Sequence, residues 1–514
     1  MEPEGCSEKN HRPGPIQRRD AERLRKEHSP ATGLRGRAWH DRPMLANRPR
    51  SRILAALVAV TFLVSCGSST PSPSAPASPS ATAPASVSPA PSSPSPVASV
   101  PASASASVAP SASAGTVSCA ASPSASPASS ASPAPAASDA NAALYAGIES
   151  QVQQLRGLTA TTPVPRTVLD AAGLCAFLRT EIAAENPAAL VAATDLLYKQ
   201  LGLLPKDTSL AAVELNLLAS QVVGLYDNRS KRMYVVSSSG VIGPAEQVTY
   251  AHEFDHALQD QVFVLKKVVP EATDQGDRTM ARTMLVEGDA TLLMSLWAQK
   301  NLTADQLAQM ASVTDPAAQA ALDATPPILR EPLLADYTSG LTLALAAWAN
   351  TRSFDGVNAL FRNPPDTTEQ VMHADKLAAR EPAVLVAFPN DFAAKLGKGW
   401  KVTLQDTFGE FVLGILVRTG KPDAGTDPAQ AWGGDRVALV EGPNGGTAAI
   451  VDTTWDTPKA AADYFALIGP LAGKLNEAGF HAVVLMPGGR RVVLVSADSV
   501  TTLSLVAGVL GLAQ

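Results

Sequence analysis

The stretch Thr249-Tyr250-Ala251-His252-Glu253-Phe254-Asp255-His256-Ala257-Leu258-Gln259-Asp260-Gln261 lies in a helical pattern predicted to run from about Ala245 to Val264, after the breaker Gly243-Pro244. Positions i and i+4 project from one helix face, so His252 and His256 can present imidazole nitrogens to a single metal ion. Glu253 lies one residue round from His252, near the place of a metal-bound water. Two neutral imidazoles and a third ligand leave one position of a tetrahedral zinc open for that water. Such coordination lowers the water's pKa toward neutrality, and Glu253 is placed to accept its proton as the oxygen attacks a carbonyl. Outside the first 43 residues the chain has four histidines, His252, His256, His373 and His481, and two fall in this pentapeptide. The competing reading makes both polar residues on a solvated helix face.

A second helix is predicted from about Arg278 to Gln299, with Glu287 in its apolar middle, Leu285-Val286-Glu287-Gly288-Asp289-Ala290. An unpaired carboxylate there is expensive to bury, which makes Glu287 the preferred third ligand and Asp289 the runner-up or a supporting group. Small Gly288 and Ala290 are expected to let this helix approach the metal-bearing one. Asp260, one turn after His256, is a candidate for orienting that imidazole. Tyr337 and His373 are candidate donors to a developing oxyanion. For His373 the competing reading is a helix-face residue after a capping box at Thr367 and Gln370. The strand Met233–Val236 is a candidate edge for pairing with an extended peptide.

Composition divides the chain. Residues 1–66 comprise a charge-rich leader and an apolar run from Ile53 to Val64 that follows Arg48, Arg50 and Arg52 and ends in Leu63-Val64-Ser65-Cys66-Gly67. That run is too short to span a bilayer and has the length and flanking charge of a signal-peptide core. Its closing tetrapeptide resembles the bacterial lipobox, which implies lipidation of Cys66 and a true start at Met44. Residues 67–138 are almost entirely Ser, Ala and Pro and are expected to form a disordered spacer. Residues 139–395 and 396–514 read as two folded parts. The net charge is −6, with no basic stripe interleaved with aromatics, which disfavours nucleic acid. Cys119 and Cys175 can pair in an oxidising compartment.

The fold class read from these patterns is α+β. Residues 141–222 read as helices, with an apolar stripe at Leu144, Ile148, Val152 and Leu155. A hairpin follows over Val222–Tyr226 and Met233–Val236, before the His252 helix. Further helices are predicted near 303–323, 338–350 and 367–379. After residue 400, Val437–Val440 with Ala448–Val451 and Ala482–Met486 with Arg491–Val495 read as hairpins, and helices as Pro458–Ala478 and from Val500 on. Trp432-Gly433-Gly434-Asp435 reads as a tight turn with a packed indole. His481 reads as structural.

The helical part resembles the zincin metallopeptidases, specifically the gluzincins, whose third zinc ligand is a Glu on a downstream helix. Many gluzincins carry Asp four residues after that Glu, where this chain has Thr291. Together with Glu287-Gly288-Asp289-Ala290, Pro364-Pro365-Asp366-Thr367-Thr368-Glu369-Gln370-Val371-Met372-His373 and Trp432-Gly433-Gly434-Asp435, the His252 stretch resembles a group of bacterial HExxH proteins, many of them exported. The resemblance implies a zincin-like catalytic domain with a Zn2+ cofactor, a protein or peptide substrate and a lipid anchor in the membrane. The alternative is a catalytically silent lipoprotein that keeps the fold for binding or envelope structure. A purely structural zinc site is weaker, because such sites usually close with four Cys or His ligands.

Overall fold

The computed structural model describes residues 54–57, 119 and 141–512, apart from 186, 237–241, 271, 273 and 313–314. Cys66, Met44 and nearly all of the Ser/Ala/Pro tract lie outside the described residues. The chain divides into two units at Ala46, and all described residues belong to the second, Asn47–Gln514.

Four helices open the folded part: α1 (Ala142–Arg156), α2 (Ala171–Glu185), α3 (Ala188–Gln200) and α4 (Leu210–Gln221). The buried stripe of α1 is Tyr145, Ile148, Val152 and Arg156, while Leu144, expected in it, is 36% exposed. The stripe is rotated because Tyr145 packs its ring on Tyr250 and Arg156 finds charged partners in the interior. Cys119 and Cys175, which the sequence left able to pair, form a disulfide. Cys119, although it sits in the expected spacer, is buried against Leu174, Leu178, Val222 and Leu225.

Strands β1 (Leu54–Leu57), β2 (Arg166–Leu169), β3 (Val222–Asp227) and β4 (Arg232–Val236) form one sheet in the order β1-β3-β4-β2. The hairpin β3–β4 is the one predicted, with Leu225 opposite Tyr234. Strand β2, in a stretch read as helical, pairs in parallel with β4. Both edges of Met233–Val236 are therefore occupied, which removes it as an open edge for a peptide. The outer neighbour of β3 is β1, four residues from the apolar run.

Helix α5 (Pro244–Phe263) begins with Pro at its first position and ends where Val264 turns to φ 61°. Every residue from Val248 to Asp260 is buried, so α5 is a central helix covered on all sides. It packs on α1, on β3 and on α7 (Gly276–Asn301), with the short α6 (Leu265–Val268) between. Residues Thr283–Met294 of α7 are also continuously buried. After α8 (Ala304–Ser312) and α9 (Pro316–Ala324), helix α10 (Pro327–Thr351) begins well before the expected start near 338. It crosses α7 in backbone contact: a Cβ on Gly288 would lie 2.0 Å from the Gly340 carbonyl oxygen. Gly288 thus serves the α7–α10 crossing, not the approach of α7 to α5 that the sequence suggested.

Four short helices follow, α11 (Asp355–Arg362), α12 (Thr368–Met372), α13 (Ala374–Ala379) and α14 (Phe392–Leu396). The Thr367 hydroxyl accepts from Gln370 N, as the capping pattern predicts. The second sheet comprises β5 (Lys401–Asp406), β6 (Trp432–Glu441), β7 (Thr447–Trp455), β8 (His481–Gly488) and β9 (Arg491–Ala497), all antiparallel in the order β5-β6-β7-β9-β8. Helices α15 (Gly409–Gly420), α16 (Pro458–Glu477) and α17 (Val500–Val509) complete the part. Alternation divides the sheet's faces: Val437, Leu439, Val451 and Leu494 join the larger core, whereas Val440, Ile450, Val493 and Val495 pack with α14 and α17. That larger core runs on from Tyr145 through α5, α7 and α15 to β9, so the second sheet packs directly on the helical part. Trp432–Asp435 is the first part of β6, not a free-standing turn; its register against β7 shifts between Trp432 and Gly434. The indole is buried, as expected, and donates to Asp435. The architecture is α+β. Among the described residues no helix is long and apolar enough to cross a membrane.

Candidate metal centre

Helices α5 and α7 bring His252, His256 and Glu287 together. His252 Nε2 and His256 Nε2 are 2.9 Å apart, and Glu287 Oε2 is 3.2 Å from the first and 3.4 Å from the second. Donor atoms about 2.1 Å from a tetrahedral zinc are about 3.4 Å apart; the two edges to Glu287 are close to that spacing, and the His252–His256 edge is shorter. Electrostatics agree. Burial opposes ionisation of Glu287, yet His256 and His252 hold its carboxyl down to about 2. Burial also opposes a charged His256, but Glu287 and Glu253 hold its imidazole up to about 10. Burial and the neighbouring His256 lower His252. The triangle favours a positive charge among its three donors, as a divalent cation would supply.

Glu253 shares this interior and is buried. Strand β3 passes over it: a Cβ on Gly224 would meet Thr249 Cγ2 at 3.1 Å and Glu253 Cγ at 3.5 Å. Tyr337 of α10 stacks on His252 with ring centroids 6.0 Å apart, so the α7–α10 crossing places a phenol beside the triangle.

The support of His256 differs from expectation. Its Nδ1 lies 2.9 Å from Gln259 Oε1, whose amide nitrogen donates to Asp289 (2.9 Å), to Asp255 (3.2 Å) and to the Val286 carbonyl (3.1 Å). Asp260, the predicted partner, is drawn elsewhere: it accepts from Tyr226 Oη, Lys231 Nζ and the backbone N of Leu265. Asp289 is behind His256 by way of Gln259 and is not in the triangle. Thus the carboxylate behind His256 is Asp289, reached through Gln259.

Arg156 closes this network. It is 1% exposed, donates to Asp289 Oδ2 from Nε (3.2 Å) and Nη2 (2.8 Å) and to Asn358 (2.8 Å), and lies 3.5 Å from Asp255 Oδ1. Burial and the adjacent Asp289 push the Asp255 carboxyl up to about 8 despite Arg156. The sequence reading missed Arg156, Asp255 and Gln259. For Gln259, the i+3 spacing from His256 was the available signal; Arg156 and Asp289 are 133 residues apart, beyond any local pattern.

His373 is not brought to the triangle. Its Nε2 lies 2.9 Å from Glu410 Oε1 and 3.4 Å from Asp427 Oδ2, so its imidazole is engaged by the second part of the chain. A cleft of about 680 Å³ between α2, α3 and α4, lined among others by Ile182, Val191, Asp195 and Leu215, contains none of the triangle residues.

Residues 401–507 match a family described as a domain of unknown function (DUF8575). The match runs from β5 into α17 and excludes His252, His256 and Glu287. Neither the curated proteins nor the solved structures gave a match.

Proposed function

We propose that this chain is a zinc-dependent metallopeptidase with His252, His256 and Glu287 as metal ligands. The observation that carries the reading is the triangle of donor atoms with edges of 2.9–3.4 Å, set beside Glu253 on the same helix. Zinc held there would supply Lewis acidity toward a carbonyl and lower the pKa of a bound water. Glu253 takes the proton of the attacking water and passes it to the leaving amine. The Tyr337 hydroxyl donates to the carbonyl oxygen as it gains charge. Gln259 fixes the tautomer of His256, with Asp289 and Arg156 behind it.

A catalytically silent lipoprotein is the second reading, and one observation favours it: His252, Glu253 and His256 are at most 1% exposed, so a substrate must open the site. Metal content of the full chain tests the centre. Zinc bound by the parent and lost in both His256→Ala and Glu287→Ala supports the assignment. Unchanged zinc in folded Glu287→Ala would move the third ligand elsewhere.

The same reading places the protein outside the cytoplasm, lipid-anchored through Cys66. The Cys119–Cys175 disulfide supports an oxidising compartment. Processing at Cys66 removes Leu54–Leu57 and frees the outer edge of β3, which runs over Glu253, for pairing with an extended peptide. In cell fractionation, Cys66→Ser is expected to leave the membrane; retention there would refute the anchor.

A further inference from the structure

His373, between α12 and α13, meets two carboxylates of the part that carries the second sheet: Glu410 in the first turn of α15 and Asp427 in the loop before β6. The donor atoms of all three lie within 4.8 Å of one another, with His373 Nε2 2.9 Å from Glu410 Oε1 and 3.4 Å from Asp427 Oδ2. Glu410 is fully buried, and among the described residues its Oε2 has no hydrogen-bond partner. His373 and Asp427 are about a quarter exposed, so the cluster has an opening to solvent through which an ion can enter.

We propose that His373, Glu410 and Asp427 form a second divalent-cation site that joins the helical part to the α15 part. Two ionised carboxylates this close repel, and the fully buried Glu410 needs a positive charge beside it. One imidazole and two carboxylates suit zinc or manganese. The short edges to His373 suit an ion with bonds of about 2.0–2.2 Å. The ion would anchor the loop after α12, whose Thr368 donates to Asp277 in the first turn of α7, to the start of α15. Its role is to lock the two parts together; no ligand of the first triangle belongs to it.

The competing arrangement is a proton held between Glu410 and Asp427. To separate the two, the full chain is stripped with a chelator, dialysed against Zn2+ or Mn2+, and its metal counted. The same is done for His256→Ala, Asp427→Asn and the double variant. Asp427→Asn changes a partly exposed loop residue, and circular dichroism confirms that each variant is folded. The expected result is two ions per parent chain, one in either single variant and none in the double variant. In the His256→Ala background, Asp427→Asn should weaken the remaining site roughly a hundredfold or more, beyond what loss of a supporting residue causes. One ion in the parent, kept in His256→Ala and lost in Asp427→Asn, would support this site while refuting the first. No metal in folded His256→Ala, or metal retained in the double variant, would overturn the second site.

Discussion

Replacing Gly288 by Ala tests the geometry that holds Tyr337 against His252. The added Cβ would lie 2.0 Å from the Gly340 oxygen and 2.1 Å from its carbonyl carbon. Ordinary contact begins near 3.4 Å, so α7 and α10 must part by about 1.4 Å at the crossing. Both sides of the contact are backbone, and no rotamer change relieves it. Overpacking in a filled core costs about 1–3 kcal/mol, and this clash belongs at the upper end. Ala regains about 1 kcal/mol of helix propensity over Gly. The net expectation is a loss of about 2 kcal/mol, read as a lower midpoint in urea denaturation. Gly147→Ala is the control: it is exposed in α1, and a Cβ there meets nothing within 4 Å. The same chemical change there should raise stability by about 0.5–1 kcal/mol. A Gly288→Ala midpoint at or above that of the parent would refute the close crossing.

Two further outcomes follow from the network behind His256. Gln259→Ala leaves Nδ1 of that imidazole without its partner and should weaken zinc binding roughly 10–100-fold, whereas Asp260→Asn should leave the affinity near the parent value; the reverse order, read by competition with a chromophoric chelator, would restore Asp260 as the orienting group. Arg156→Met strips the cation from buried Asp289 and should cost about 3–5 kcal/mol, part of which Arg156→Met/Asp289→Asn recovers; equal unfolding midpoints for the single and double variants would show that the charge pairing does not matter.

The meeting of His252, His256 and Glu287 was legible in the sequence because its information is local. Two histidines at i and i+4 on a helix must share a face, and a Glu in an apolar helix needs a cation. Both hairpins of the second sheet were legible for the same reason: short continuous apolar runs flank glycine-rich turns. What failed depended on tertiary choice. Asp260 and Gln259 stand one residue apart, and only the fold shows that the end of α5, Tyr226 and Lys231 claim Asp260. His373 carried no local sign that Glu410 and Asp427 would meet it. Strand β2 is four residues long, too short to show a period, and forms because β4 offers it an edge. Leu144 lost its core position because Tyr145, packed on Tyr250, takes that end of the α1 stripe, as Arg156 takes the other, while Ile148 and Val152 stay in it.

Hydrolysis with Glu253 as general base is read from cleavage of a random peptide library by the zinc-loaded chain after processing at Cys66 and by its Glu253→Gln variant at equal zinc content. The parent should cleave, and the variant should lose roughly 10²–10⁴-fold. Equal cleavage by both proteins, or none by a parent that holds zinc, would contradict it.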